Sequence, residues 1–280
     1  MSAAEEFLAL VGGPEEQIAL DAGCLLIAAL GGGRSDDATV VTDGRARLDD
    51  LAAGCDATDL DGLLGHLFGI LGFAGNRTHY DDPCNSYLDV VLDRRCGIPI
   101  TLAVVVIEVG RRLGLDLVPV GMPGLFLVGV GQGRYVDAFD GGRMLDTEGC
   151  RRRFLELAGP GAPWSTELLA PVGSRAVLTR VLANLRRVFA AAHDLHGLEW
   201  VLALRTGIPG VPDAARMERA TVLAALGRYD AAAAELDRLA DLTEDTSPGF
   251  RHHPSQGPAA DVVAAPELRA RAARLRARLN

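Results

Sequence analysis

Apolar residues recur at helical spacing through the first quarter of the chain. Leu60, Leu63, Leu64, Leu67, Phe68 and Leu71 follow the i, i+3, i+4 rhythm of one helix face, so residues 59–71 are expected to form an amphipathic helix. An apolar run at 19–30 precedes it, closed by Gly31-Gly32-Gly33, and the turn Gly72-Phe73-Ala74-Gly75-Asn76 stops the helical region. The middle of the chain is mixed. Residues 85–92 read as a short helix behind Pro83. Residues 101–113 are apolar on almost every side, and a helix without a polar face has to be enclosed by other elements. Their Val104-Val105-Val106-Ile107 run also suits a strand, but the segment exceeds a usual strand and Pro99 fits a first helical turn. Short β-rich segments follow at 117–120, 125–130 and 134–139, with Gly131-Gln132-Gly133 suited to a hairpin.

From about Val177 the rhythm is helical again, with apolar positions at 178, 181, 182, 185, 188 and 189. Beyond a Pro/Gly break at 207–212, helices at 214–226 and 229–242 share the short joint Gly227-Arg228, which makes them a helical hairpin. Residues 243–258 read as a linker, and a last helix at 266–279 carries five arginines against one glutamate. The organisation is α+β, with one buried helix laid on a small antiparallel sheet. Its expected parts are an N-terminal helical region at 1–71, a mixed core at 72–160, a helical region at 161–242, a linker at 243–265 and a terminal basic helix at 266–280.

Composition narrows the function classes. With 49% apolar and 23% charged residues among 280, the chain is expected to fold. The net charge of −9 opposes nucleic acid and anionic membranes, so neither is an expected partner. No window approaches about 18 uninterrupted apolar residues, and MSAAEEFLAL is acidic where a secretory signal would be basic, so a cytoplasmic location is expected. All 28 basic residues are arginine, and the abundance of Ala, Gly, Arg and Leu resembles the coding bias of a GC-rich bacterial genome. Cys24, Cys55, Cys84, Cys96 and Cys150 form no C-x-x-C pair, which excludes a disulfide framework or a structural zinc site at the usual spacings. His252-His253 lacks nearby acidic or thiol ligands and reads as linker; no metal or cofactor is expected. Gly31-Gly32-Gly33 lacks the strand and the Lys-Ser/Thr of a phosphate loop and reads as a terminator.

The middle region resembles the SirB1-type transglutaminase-like proteins. The resemblance runs through Gly72-Phe73-x-Gly75-Asn76, Tyr80-x-Asp82-Pro83-x-Asn85-Ser86-Tyr87-Leu88 and Val91-Leu92-Asp93-Arg94-Arg95-x-Gly97-Ile98-Pro99-Ile100-Thr101-Leu102. It continues in Gly121-x-Pro123-Gly124-x-Phe126 and Tyr135-Val136-Asp137-x-Phe139-x-Gly141-Gly142. It implies a papain-like core. The hairpin Ala220-x-x-x-Ala224-x-Leu226-Gly227-Arg228-Tyr229-x-x-Ala232 is similar to a tetratricopeptide unit, in which alanines allow close helix approach.

Active members of this family are implied to use a cysteine at the N-terminus of the buried central helix, a histidine from a following strand and an orienting aspartate. Here the nucleophile falls near Pro99 to Thr101, where no cysteine stands, and the histidine position reads Leu125. Only Asp137 survives. Leucine cannot accept or pass a proton, so the inherited triad is not expected to operate. Rival nucleophiles are Cys96, beside Arg94-Arg95 whose charge would favour a thiolate, and Cys84. His66 and His79 are the nearest relocated bases, while Thr101 reads better as a helix cap than as a nucleophile. Asn85, Ser86, Arg94, Arg95 and Asp137 form a polar constellation. In it Asp82 and Ser86 cap the short helix and the arginines pair with Asp89, Asp93 or Asp137, either as a loop-pinning network or as a recognition pocket. Arg151-Arg152-Arg153 and the last helix read as solvated basic faces. The leading expectation is a non-catalytic protein that binds a protein or peptide partner in a regulatory role. The alternatives are a rearranged cysteine-dependent amidase, peptidase or acyltransferase, and a small-molecule domain whose Arg94 or Arg95 grips an anion.

Overall fold

A computed structural model describes residues 1–32, 37–56, 58–245 and 263–279; Gly33 and most of the expected linker, His252-His253 included, lie outside them. The chain divides into two compact units, Met1–Val188 and Phe189–Asn280.

In the first unit, helices α1 (Ala3–Gly12), α2 (Leu20–Gly31), α3 (Asp37–Ala53) and α4 (Leu60–Leu64) come first. Ser2 and Glu5 start α1 with reciprocal side-chain-to-backbone bonds of 3.3 and 2.9 Å, a capping box. The single helix expected at 59–71 is split. Asp59 caps α4 through the Gly62 N–H, but from Gly65 to Ile70 the backbone widens into a π-helix, with Leu71 N–H reaching back to the His66 carbonyl. Gly65 and Gly69 weaken the α-helical preference there, and the widened turn keeps Leu67 buried. The helix expected at 85–92 starts later: Pro83–Ser86 is a 3-10 turn capped by Asp82, and α5 (Leu88–Arg94) follows, ending on Arg95 at φ 51°.

Strands β1 (Ala74–Gly75) and β2 (Cys96–Gly97) pair in parallel, and α6 (Pro99–Arg112) leaves directly from β2. The seam is tight: a methyl group at Gly75 would stand 2.7 Å from the Phe139 carbonyl oxygen, and one at Gly97 2.8 Å from the Thr101 hydroxyl. Every residue of α6 from Pro99 to Gly110 is buried, which the lack of a polar face required, and the strand alternative for Val104–Ile107 falls. Its one acid, Glu108, is also buried and is neutralised by Arg111 and Arg112 of the next turn at 2.9 and 3.0 Å; Arg112 also reaches buried Asp21 at 3.0 Å.

Strands β3 (Val118–Val120), β4 (Leu127–Gly129), β5 (Arg134–Asp137) and β6 (Arg143–Asp146) form an antiparallel sheet in that order, packed on α6 through β3 and β4. Gly131, Gln132 and Gly133 all take positive φ, as the hairpin expectation demands. β6 was not anticipated. Helix α7 (Thr147–Ala158), capped by Asp146, and helix α8 (Ser174–Ala191) follow. Val120, Met122, Leu125, Leu127, Cys150 and Phe154 belong to one apolar cluster.

In the second unit, α9 (Leu195–Gly207), α10 (Asp213–Ala225), α11 (Tyr229–Asp245) and α12 (Ala265–Arg276) pack in chain order. Gly227 at φ 75° turns α10 into α11, and the fully buried Ala232, Ala233 and Ala240 keep the helices close. Arg269 and Arg276 of the basic helix are not simply solvated: they pair with Asp241, Glu244 and Asp237 of α11, contacts that at half exposure are worth little each. Among the described residues no helix is long and apolar enough to cross a membrane.

Candidate functional site

The polypeptide reaches the N-terminus of α6 through β2, and the first turn of that helix is where the implied nucleophile belongs. Pro99 occupies its first position and Thr101 its third. The Thr101 hydroxyl is fully engaged: it lies 2.7 Å from the Asn85 carbonyl, to which it donates, and accepts from the Ile98 N–H at 3.2 Å. Buried and saturated, Thr101 caps its own helix.

Asn85 is equally committed. Its amide donates to the carbonyls of His79 and Tyr80 at 2.7 and 3.2 Å, and its oxygen accepts from the Asn76 amide at 2.9 Å. Asn76 accepts in turn from the His79 N–H at 3.0 Å. This network pins the 76–85 loop and sets Tyr80 over the site, its ring edge-on to Phe139 at 5.9 Å. Ser86 is buried behind it.

The arginine pairings expected from sequence need correction. Arg94 pairs with Asp82 at 2.9 Å, and Arg95 donates to the Leu71 carbonyl at 3.1 Å; Asp93 is held by Arg47 at 2.8 Å. Asp137 faces Arg153 of α7 at 3.7 Å, so the third residue of the supposed solvated run Arg151-Arg152-Arg153 is drawn inward. One Asp137 oxygen caps the turn at the Phe139 and Asp140 N–H groups, each at 3.1 Å, and its other oxygen has no hydrogen bond although buried. Burial pushes this carboxyl up, against the opposing Asp140 N–H and Arg153.

Of the rival thiols, Cys84 is poorly activated. Burial and the neighbouring Asp82 push the Cys84 thiol up, and Cys150 lies at about 11 because burial and Asp146 oppose a thiolate. Among the described residues no histidine hydrogen-bonds to Cys84 or Cys96. His66 sits in the π-turn against Gly54, and exposed His79 serves the loop through its backbone.

Pro99, Ile100 and Leu125 do meet, lining one small cavity of about 30 Å³. Asp137, Cys84, Cys96, Asn85, Ser86, Arg94 and Arg95 do not line it. Leu125 is 5% exposed, and burying such a side chain contributes roughly 2 kcal/mol. Three polar residues complete the wall: Tyr80 and, one turn apart on α8, Arg180 and Asn184. Sequence reasoning missed the last two. Their i, i+4 spacing beside the apolar stripe of α8 was the available signal.

Residues 39–183 match the sequence profile described as the transglutaminase-like superfamily. A UPF0162 protein of Xylella fastidiosa (strain Temecula1) is 40% identical over 193 residues, covering 65% of this chain and 66% of that protein. A UPF0162 protein of Pseudomonas aeruginosa is 38% identical over 112 residues, 40% of this chain and 42% of its own. F-box only protein 21 of Mus musculus is 34% identical over 137 residues, 45% of this chain and 21% of that protein. The chain thus spans just under two thirds of the Xylella relative's length. No solved structure matches the chain at a significant level.

Proposed function

The chain belongs to the transglutaminase-like superfamily, and we propose that it acts there as a non-catalytic, cytoplasmic member that binds a protein or peptide partner in a regulatory role. The observation that carries this reading is the chemistry of the cavity at the α6 N-terminus. Where the SirB1-type resemblance implies a thiol and an imidazole, Pro99, Ile100 and Leu125 supply hydrocarbon, and the nearby Thr101 hydroxyl is spent on Asn85. A group that cannot accept a proton cannot serve as general base. What remains is a shaped, partly polar recess on a rigid buried helix. The α10–α11 hairpin of the second unit supports a tetratricopeptide-like role of its own, through its buried alanines and its glycine turn.

The test is incubation of the purified protein with amide, ester and amine substrates, together with crosslinking capture from the native cell. The reading expects no turnover and a partner whose capture is lost when the recess is filled by Asn184→Trp. Turnover that disappears on Cys96→Ala or Cys84→Ala defeats it and favours a rearranged cysteine enzyme. That rival draws support from the half-buried Cys96, which sits on β2 immediately ahead of α6 and within electrostatic reach of Arg94.

A further inference from the structure

The polar groups around the cavity have one character. Arg180 brings a guanidinium, Asn184 a carboxamide and Tyr80 a phenol; no carboxylate lines the recess. The Nη2 of Arg180 donates to the carbonyls of Met122 and Leu125 at 2.9 and 3.1 Å, which anchors the loop carrying Leu125. A guanidinium has five N–H donors, so three on its Nε and Nη1 remain. Among the described residues no carboxylate pairs with Arg180, whereas most of the other described arginines pair with an acid, in a chain of net charge −9. The Phe126 ring covers one guanidinium face at 5.4 Å and Nη1 lies 3.5 Å from where a side chain on Gly121 would begin, so Nε and Nη1 are the donors left for a ligand. Burial lowers its affinity for a proton, the sign of a cation withdrawn from water without a counter-ion. Asn184 makes no hydrogen bond among the described residues, leaving its amide N–H groups to serve the same point.

We infer that this cavity takes a carboxylate presented by a peptide segment, gripped by the free edge of Arg180 and steadied by Asn184. The inference rests on the partner-binding reading above and names what the partner offers. A volume of about 30 Å³ suits a carboxylate head and little else, so the rest of the peptide lies outside. Two large apolar side chains wait there: Tyr80 is 41% exposed, and Leu157, 54% exposed, sits 3.8 Å from where a side chain on Gly124 would begin. They favour an apolar residue beside the carboxylate. A charge-assisted, forked contact of this kind is the natural use of an arginine lacking an acid.

The test uses the full chain and fluorescence polarisation with labelled pentapeptides, each made with a free C-terminus and as the C-terminal amide. A second set of amides carries an internal Asp or Glu. Tighter binding of free-terminus peptides by about ten- to a hundredfold, competed by acetate, assigns a chain terminus. The same preference for acid-bearing amides assigns a side-chain carboxylate. Asn184→Leu, which leaves the carbonyl bonds of Arg180 intact, weakens either by several-fold, and Arg180→Lys, which keeps the charge but loses the fork, by about tenfold. Equal binding of acids and amides, no binding of any peptide, or wild-type affinity in both variants overturns the inference. If a partner is still captured without turnover, only the carboxylate assignment has failed; turnover dependent on Cys96 or Cys84 removes the binding reading itself.

Discussion

Replacing Asn85 by alanine asks whether this residue belongs to a recognition pocket or to the frame that holds one. The side chain is fully buried and makes three hydrogen bonds, to His79, Tyr80 and Asn76, at 2.7, 3.2 and 2.9 Å. Each such bond contributes roughly 1 kcal/mol net, and orphaning the buried Asn76 amide adds about another 1 kcal/mol, partly offset by rehydration of the exposed His79 and Tyr80 carbonyls. The expected loss is therefore about 3 kcal/mol, or roughly 6–12 °C in Tm for a unit of this size. Trp164 lies in the first unit and Trp200 in the second, so a Trp200→Phe background lets urea unfolding followed by fluorescence report on the first unit alone. Asn76→Ala should cost about 2 kcal/mol, and the double variant about 1 kcal/mol less than the sum, because the two residues share a bond. A cost below about 1 kcal/mol for Asn85→Ala, with the 76–85 amides as protected from hydrogen exchange as in the wild type, would refute the framing role.

Other outcomes follow from the same geometry. Because burial raises the Asp137 carboxyl, the folded state binds its proton more readily than the unfolded chain, so this group's contribution to stability falls as pH rises from about 4 through its folded value. Asp137→Asn keeps the capping oxygen and cannot ionise; urea titrations should find it more stable than wild type at pH 7, with the advantage closing toward about pH 4. Glu108→Ala removes the buried carboxylate shared by Arg111 and Arg112 while Arg112, 12% exposed, keeps Asp21, and should cost roughly 1–2 kcal/mol, with Glu108→Gln about half that by denaturant midpoint; parity with wild type contradicts the buried pairing. Gly75→Ala drives a methyl group against the Phe139 ring and carbonyl and should cost about 2 kcal/mol or more, read as a lower thermal midpoint.

The sequence made α6 legible because enclosure leaves a signature: a thirteen-residue apolar stretch behind a proline has few other ways to fold. The hairpin at Gly131-Gln132-Gly133 was legible through its positive-φ requirement. β6 was not, since only Leu145 of its four residues is buried and a strand at a sheet edge need not alternate. The π-turn after Gly65 was hidden because i, i+3, i+4 spacing describes both helix types over one turn. At the site, Leu125 was identifiable from its motif, but its true neighbours were not. Arg180 stands 55 residues further along the chain, and nothing local reveals that its side chain reaches back to the Leu125 carbonyl. Of three consecutive arginines, only the docking of α7 on the sheet decides that Arg153 turns toward Asp137.

The glycine seam between β1 and β2 also bears on how such sequences drift. Gly75 and Gly97 face each other in register with the neighbours of both already at contact distance, so a mutation at either cannot be absorbed by one compensating change nearby. Ring, carbonyl and hydroxyl would have to retreat together. Divergent descendants that retain both glycines should therefore keep the α6 entrance closed in the same way, and any that has lost one should reveal, at the counterparts of Phe139 or Thr101, where its ancestors made room.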